Sequence, residues 1–161
     1  MFKNNVSGNE IYYTGSYYRG NGCFWIKNNG TKQIVLETYI RYGPTIRWHS
    51  ENIAEIFIPT GSPFRHSYFF DFLDNKISDA YMFPIYLDPE KNLVILINEG
   101  CLDVYDFKNN MFIRRYTFDE DTRVLNLLVF GSYKIKIENN KLYFTYEENF
   151  DDTKGIYIFD Y

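Results

Sequence analysis

With 161 residues and two cysteines, the chain is long enough to bury a core without metal or disulfide support, and it reads as a single domain over 1–161. A net charge of −4 disfavours nucleic-acid binding, because an acidic balance repels phosphate backbones. The charge is unevenly spread: Met1 to Arg47 carries six basic and two acidic side chains, while Trp48 to Tyr161 carries eleven basic and nineteen acidic ones.

Aromatic residues make up 20% of the chain, with sixteen Tyr and fifteen Phe, and both types favour the half-buried surface of a sheet. The first dense cluster is YYTGSYYRGNG, residues 12–22, where four tyrosines alternate with small residues. Tyr17 and Tyr18 in this stretch are candidates for rigid, amphipathic contact area in a binding loop, or for stacking on a sugar. CFWIKNNGTKQIVLE follows, and its Asn29-Gly30 supplies the positive φ angles of a tight hairpin turn between Cys23–Lys27 and Lys32–Glu37. Trp48, in RWHSEN, is a further aromatic anchor candidate, alongside Trp25.

Each histidine, His49 and His66, precedes a serine. Side chains adjacent on a strand point to opposite faces, so neither pair forms a nucleophile and base by sequence alone, and GSPF at 61–64 reads as a turn rather than a nucleophile elbow. His49 and Glu51 would share a strand face, which is too few ligands for a metal, and no calcium-loop pattern occurs. No catalytic residue, cofactor or metal is expected. Cys23 and Cys101 show no CxxC spacing and read as two free thiols, with a single disulfide between them as the alternative.

LVILI at 93–97 is apolar throughout, as a strand covered on both faces should be, and is far too short to span a membrane. Asn98-Glu99-Gly100 then turns the chain into CLDVYDF. DEDTRVLNLLVF at 119–130 offers the best helical spacing in the chain but reads equally as a strand, which we favour. YKIKIENNKLYFTYE at 133–147 is a hairpin: Tyr133, Ile135 and Ile137 share a face that Leu142, Phe144 and Tyr146 resume after Asn139-Asn140.

These runs group into strand triplets. Their middle strands overlay at Lys27, Asp71, Asp106 and Asp160, separated by 44, 35 and 54 residues. A strand ending in YDF or IFDY before a polar turn resembles the blades of propellers, without a WD or kelch signature. The expected fold is therefore all-β, an antiparallel meander of about ten to twelve short strands, propeller-like or curled into a sandwich or barrel, with little or no helix.

The acidic clusters Asp119-Glu120-Asp121 and Glu147-Glu148 with Asp151-Asp152 sit in loop-like segments. A glycosidase needs one carboxyl in a dry environment, so these read as recognition charge for a basic partner or as plain solubilising charge rather than as a general acid and base. The profile fits a non-enzymatic protein-binding domain, in particular a bacterial immunity protein that plugs a cognate, basic toxin domain. An alternative is a carbohydrate- or peptide-binding module, and a histidine-dependent hydrolase is a third reading. The N-terminus lacks a secretion-signal pattern, so a cytoplasmic location is expected, or a periplasmic one if a signal segment preceded Met1.

Overall fold

The computed structural model describes the chain except residues 5, 62–63, 99, 119–131 and 148–153. The ambiguous 119–130 run thus lies outside the described residues. Among the described residues every regular element is a strand, and these form four antiparallel meanders in chain order. The first contains β1 (Phe2–Lys3), β2 (Glu10–Gly15), β3 (Gly20–Asn28) and β4 (Thr31–Ile40). The second contains β5 (Thr45–Trp48), β6 (Ile53–Gly61), β7 (Phe64–Asp71) and β8 (Lys76–Ile77), with β9 (Tyr81–Met82) also paired to β7. The third contains β10 (Pro84–Asp88), β11 (Leu93–Asn98), β12 (Cys101–Asp106) and β13 (Met111–Thr117), and the fourth β14 (Ser132–Glu138), β15 (Lys141–Glu147) and β16 (Lys154–Asp160).

The all-β expectation holds, with more strands than the expected ten to twelve; three of them, β1, β8 and β9, have only two residues each. The hairpins form where the turn chemistry places them. Asn29 and Gly30 have φ of 48° and 82°, with Asn28 opposite Thr31; Asn139 and Asn140 have φ of 51° and 58°, with Glu138 opposite Lys141. Both turns match the right-handed twist of their strands. Leu93 to Leu96 are all buried, as a strand covered on both faces requires.

The sequence overlay corresponds to a structural repeat. Asp71, Asp106 and Asp160 each end the third strand of a meander. The residue after each aspartate donates its backbone N–H to the carbonyl of an asparagine in the turn before the preceding strand: Phe72 to Asn52, Phe107 to Asn92 and Tyr161 to Asn140. Asp71 and Asp106 also accept from the backbone N–H groups two and three residues on, which tightens DFLDN and DFKNN into the same turn. Asn75 and Asn110 close these turns with φ of 51° and 54°. Lys108 joins successive repeats, its Nζ lying 3.2 Å from Asp71 and 2.7 Å from Asp74. Lys27 sits one residue before the end of β3, the third strand of the first meander.

Two compact units result, residues 1–96 with 104–113 and residues 97–103 with 114–161. Within the first, alternation splits the side chains of the second meander between two faces. Ile46, Ala54, Ile56, Ile58 and Phe70 pack against Ile11, Phe24, Ile26 and Ile40 of the first meander, forming a sandwich. Ile53, Phe69 and Tyr81 face the other way, against Val94, Leu96 and Phe107. Within the second unit, Phe118 packs on Phe144, Tyr157 and Phe159, with ring centroids 4.8 to 5.6 Å apart. The ring of Tyr146 covers Gly155, its partner across β15 and β16, so any β-carbon there would strike it.

Candidate functional site

Two places in the first unit combine exposed or polar groups in ways the fold does not require. One is the loop between β2 and β3 with the end of β4. Tyr17 and Tyr18 are 63% and 57% exposed, and Tyr39 and Tyr42 are also exposed. Ser16 holds the loop, its hydroxyl accepting from the Tyr18 N–H at 3.0 Å and donating to the Tyr18 carbonyl at 2.6 Å. Arg19, at φ 47°, donates its backbone N–H to the Arg41 carbonyl and ties this loop to the next. The rings lie close: Tyr18 is 5.9 Å from Tyr42, and Tyr17 meets Tyr13 edge-on at 5.1 Å. The Arg19 guanidinium lies 5.1 Å from the Tyr18 ring, and that of Arg41 5.6 Å from the Tyr42 ring. Each such contact is worth about 0.5–1 kcal/mol at an exposed site, enough to bias ring orientation. The result is an ordered surface of phenols and guanidinium groups, the residue types that dominate binding hot spots.

The other place is a cleft of about 160 Å³. Glu55 of β6 faces it, and register sets Arg47 opposite Glu55, and Glu55 opposite Phe69. Glu55 is only 4% exposed, an isolated charge inside the apolar run IAEIFI. Its Oε2 lies 2.9 Å from His49 Nε2 and 3.8 Å from Arg47 Nη1, while its Oε1 accepts from the Ser67 hydroxyl at 2.5 Å. Burial works against ionisation, but the hydrogen bonds from His49 and Ser67 and the charges of His49 and Arg47 together hold this carboxyl below the usual glutamate range. Arg65 stacks at 4.7 Å on Phe83 and donates through Nη2 to the Pro84 carbonyl. A bulge between Pro84 and Tyr86 shapes the opposite wall.

A carboxyl held low in the folded state adds stability above its unfolded pKa and loses it as pH falls through its folded value. The wild-type protein should therefore lose stability below about pH 4.5 more steeply than Glu55→Gln, whose position does not titrate. Denaturant melts compared between about pH 3 and pH 6 check this; parallel curves for the two proteins would exclude it.

Tyr17 and Tyr18 come together with Arg19, Arg41 and Tyr42. Trp48 is half-buried and packs on Phe72 at 5.7 Å beside the core, and Trp25 stacks on Tyr12 at 4.2 Å with the Lys32 Nζ 4.5 Å from its ring. Glu147 ends β15, half-buried; Asp119, Glu120, Asp121, Glu148, Asp151 and Asp152 lie outside the described residues. His49 meets Glu55 rather than Glu51. The Ser50 hydroxyl accepts the N–H groups of Asn52 and Ile53, and Ser67 donates to Glu55, so both serines are engaged away from the imidazoles. His66 stands in β7 opposite Ile58 and Met82. Cys23 and Cys101 are not joined in a disulfide, and the Cys101 Sγ lies 3.9 Å from the Thr117 hydroxyl. Among the described residues no group of three or more His, Cys, Asp or Glu is placed to hold a metal, and no helix is long and apolar enough to cross a membrane.

Sequence reasoning missed Arg47, Glu55 and Arg65. A lone glutamate in an apolar run was the available signal, since a buried carboxylate needs partners. Comparison with family models, curated proteins and solved structures finds no match.

Proposed function

We propose that this protein is a non-enzymatic protein-binding domain, and that its partner is a toxin domain it neutralises by occlusion. The observation that supports this reading is the ordered surface of Tyr17, Tyr18 and Tyr42 with Arg19 and Arg41. Such a surface offers large contact area at little entropic cost, because the loops are already held by Ser16 and by the Arg19–Arg41 backbone bond. The acidic residues 119–121, 147–148 and 151–152 add steering toward a basic partner. A sugar- or peptide-binding role is the alternative and would use the same tyrosines, since the Trp25 ring is already stacked on Tyr12 and in contact with Lys32.

The experiment is calorimetry of the purified chain with the product of the adjacent gene. A 1:1 complex is expected, with Tyr18→Ala and Tyr42→Ala each weakening it by about 2 kcal/mol, roughly thirtyfold. His49→Ala should bind like wild type. Unchanged affinity in both tyrosine variants, or catalytic turnover abolished by His49→Ala, would contradict the reading.

A further inference from the structure

The cleft beside Glu55 is separate from the tyrosine surface and carries more positive charge than its own carboxylate needs. Glu55 is satisfied by His49 and Ser67, with Arg47 only at 3.8 Å. Arg47 holds its guanidinium over Phe57, the Cζ 3.8 Å from the ring centroid, and its side chain is 48% exposed. Arg65 contributes a second guanidinium over the same ring at 5.9 Å, so the two cations flank one aromatic side chain. The Arg65 Nε–H is buried and has no acceptor among the described residues. A buried charged donor left unpaired is unfavourable, and native proteins seldom keep one unless something supplies an acceptor.

The backbone supports the same conclusion. Phe83, on which Arg65 stacks, has φ 55°, and the bulge between Pro84 and Tyr86 re-aims the wall that completes the cleft. Positive φ at a bulky residue and bulges in a strand persist where the surroundings over-determine them, and they collect at ligand sites. The volume of about 160 Å³ has room for a phosphate or a short carboxylate.

We infer that this cleft binds a small oxyanion, carboxylate or phosphate, received by the guanidinium groups of Arg47 and Arg65, with Glu55 fixing the His49 ring beside them. The planar guanidinium fork matches two oxygens of one anion. Ionised Glu55 keeps the net charge of the site low, which favours selection by geometry over accumulation of any anion.

The test follows the arginine Nε–Hε resonances of nitrogen-15-labelled protein during titration with inorganic phosphate and, separately, with acetate, each against sodium chloride at matched ionic strength. A saturable shift of the Arg65 Nε–H is expected with at least one oxyanion, half-complete at about 1 mM. A response to phosphate alone assigns a phosphoryl ligand, and one to acetate alone a carboxylate. Arg47→Gln should weaken binding about tenfold, and Arg47→Lys, which keeps the charge but loses the fork, by less. Equal shifts with chloride, no shift with either oxyanion, or wild-type affinity in both Arg47 variants would overturn the inference. The tyrosine surface plays no part in this titration, so its result stands apart from the partner-binding reading.

Discussion

Truncating Phe69 to alanine should lower the unfolding free energy by about 4 kcal/mol, near the middle of the range for a buried phenylalanine. Phe69 is 2% exposed, with its ring 5.0 Å from Phe107, 5.9 Å from Tyr81 and 6.2 Å from His49. It also lines the oxyanion cleft, so its loss opens a void that joins an existing space. Rigid β-sheet backbones on both sides limit collapse into that void, which keeps the cost high. Phe69→Leu should cost about 1–2 kcal/mol because much of the volume is retained. Chemical denaturation checks both, through a lowered midpoint at unchanged slope. A loss below about 1 kcal/mol for Phe69→Ala would mean that the packing around this ring is not as described.

Arg115→Ala should cost about 3 kcal/mol, for an electrostatic reason rather than a packing one. Asp103 is fully buried, and its two oxygens receive Arg115 Nε at 2.6 Å and Nη2 at 2.7 Å, with Asn98 Nδ2 at 3.1 Å. The hydrogen bonds of Arg115 foremost, with Asn98 and the arginine charge, hold the Asp103 carboxyl below the usual aspartate range despite its burial. Removing the guanidinium strands a buried carboxylate. The loss should shrink as pH falls through the carboxylate range, because a protonated Asp103 no longer needs its cation. Replacing both residues together, Asp103→Leu with Arg115→Met, should recover most of the stability, since no charge is then left buried. Denaturation of the three variants at neutral pH and near pH 3 separates these outcomes.

Much of the architecture was legible in residue order. Period-two alternation located the 133–147 hairpin in its observed register, and Asn29-Gly30 located another. The recurrence of Asp71, Asp106 and Asp160 reflected one local device: an aspartate at a strand end followed by a residue whose N–H reaches back to an asparagine carbonyl. Such local chemistry repeats visibly because turn geometry restricts the residues that can make it. The opening strands of the meanders were less visible. β5 and β10 are short and lie beside Gly43-Pro44 and Pro84, which read as breakers.

That omission also hid the cleft. His49 and Glu55 lie six residues apart, and their contact exists only because β5 and β6 form a hairpin with Arg47 opposite Glu55. Arg65 joins them through pairing of β6 with β7, a register that sequence spacing does not determine. The tyrosine surface was easier to find, because Tyr17 and Tyr18 are adjacent in a Gly- and Ser-containing loop; Arg41 and Tyr42 come from the next loop and needed the fold.

Under the proposed function, the ordered tyrosine and arginine loops grip a protein partner. Hydrogen exchange of the chain with and without the product of the adjacent gene tests it most directly. Slowed exchange across residues 17–19 and 39–42, with 133–147 unchanged, is the predicted footprint; protection confined to other segments, or none at saturating partner, would contradict the account.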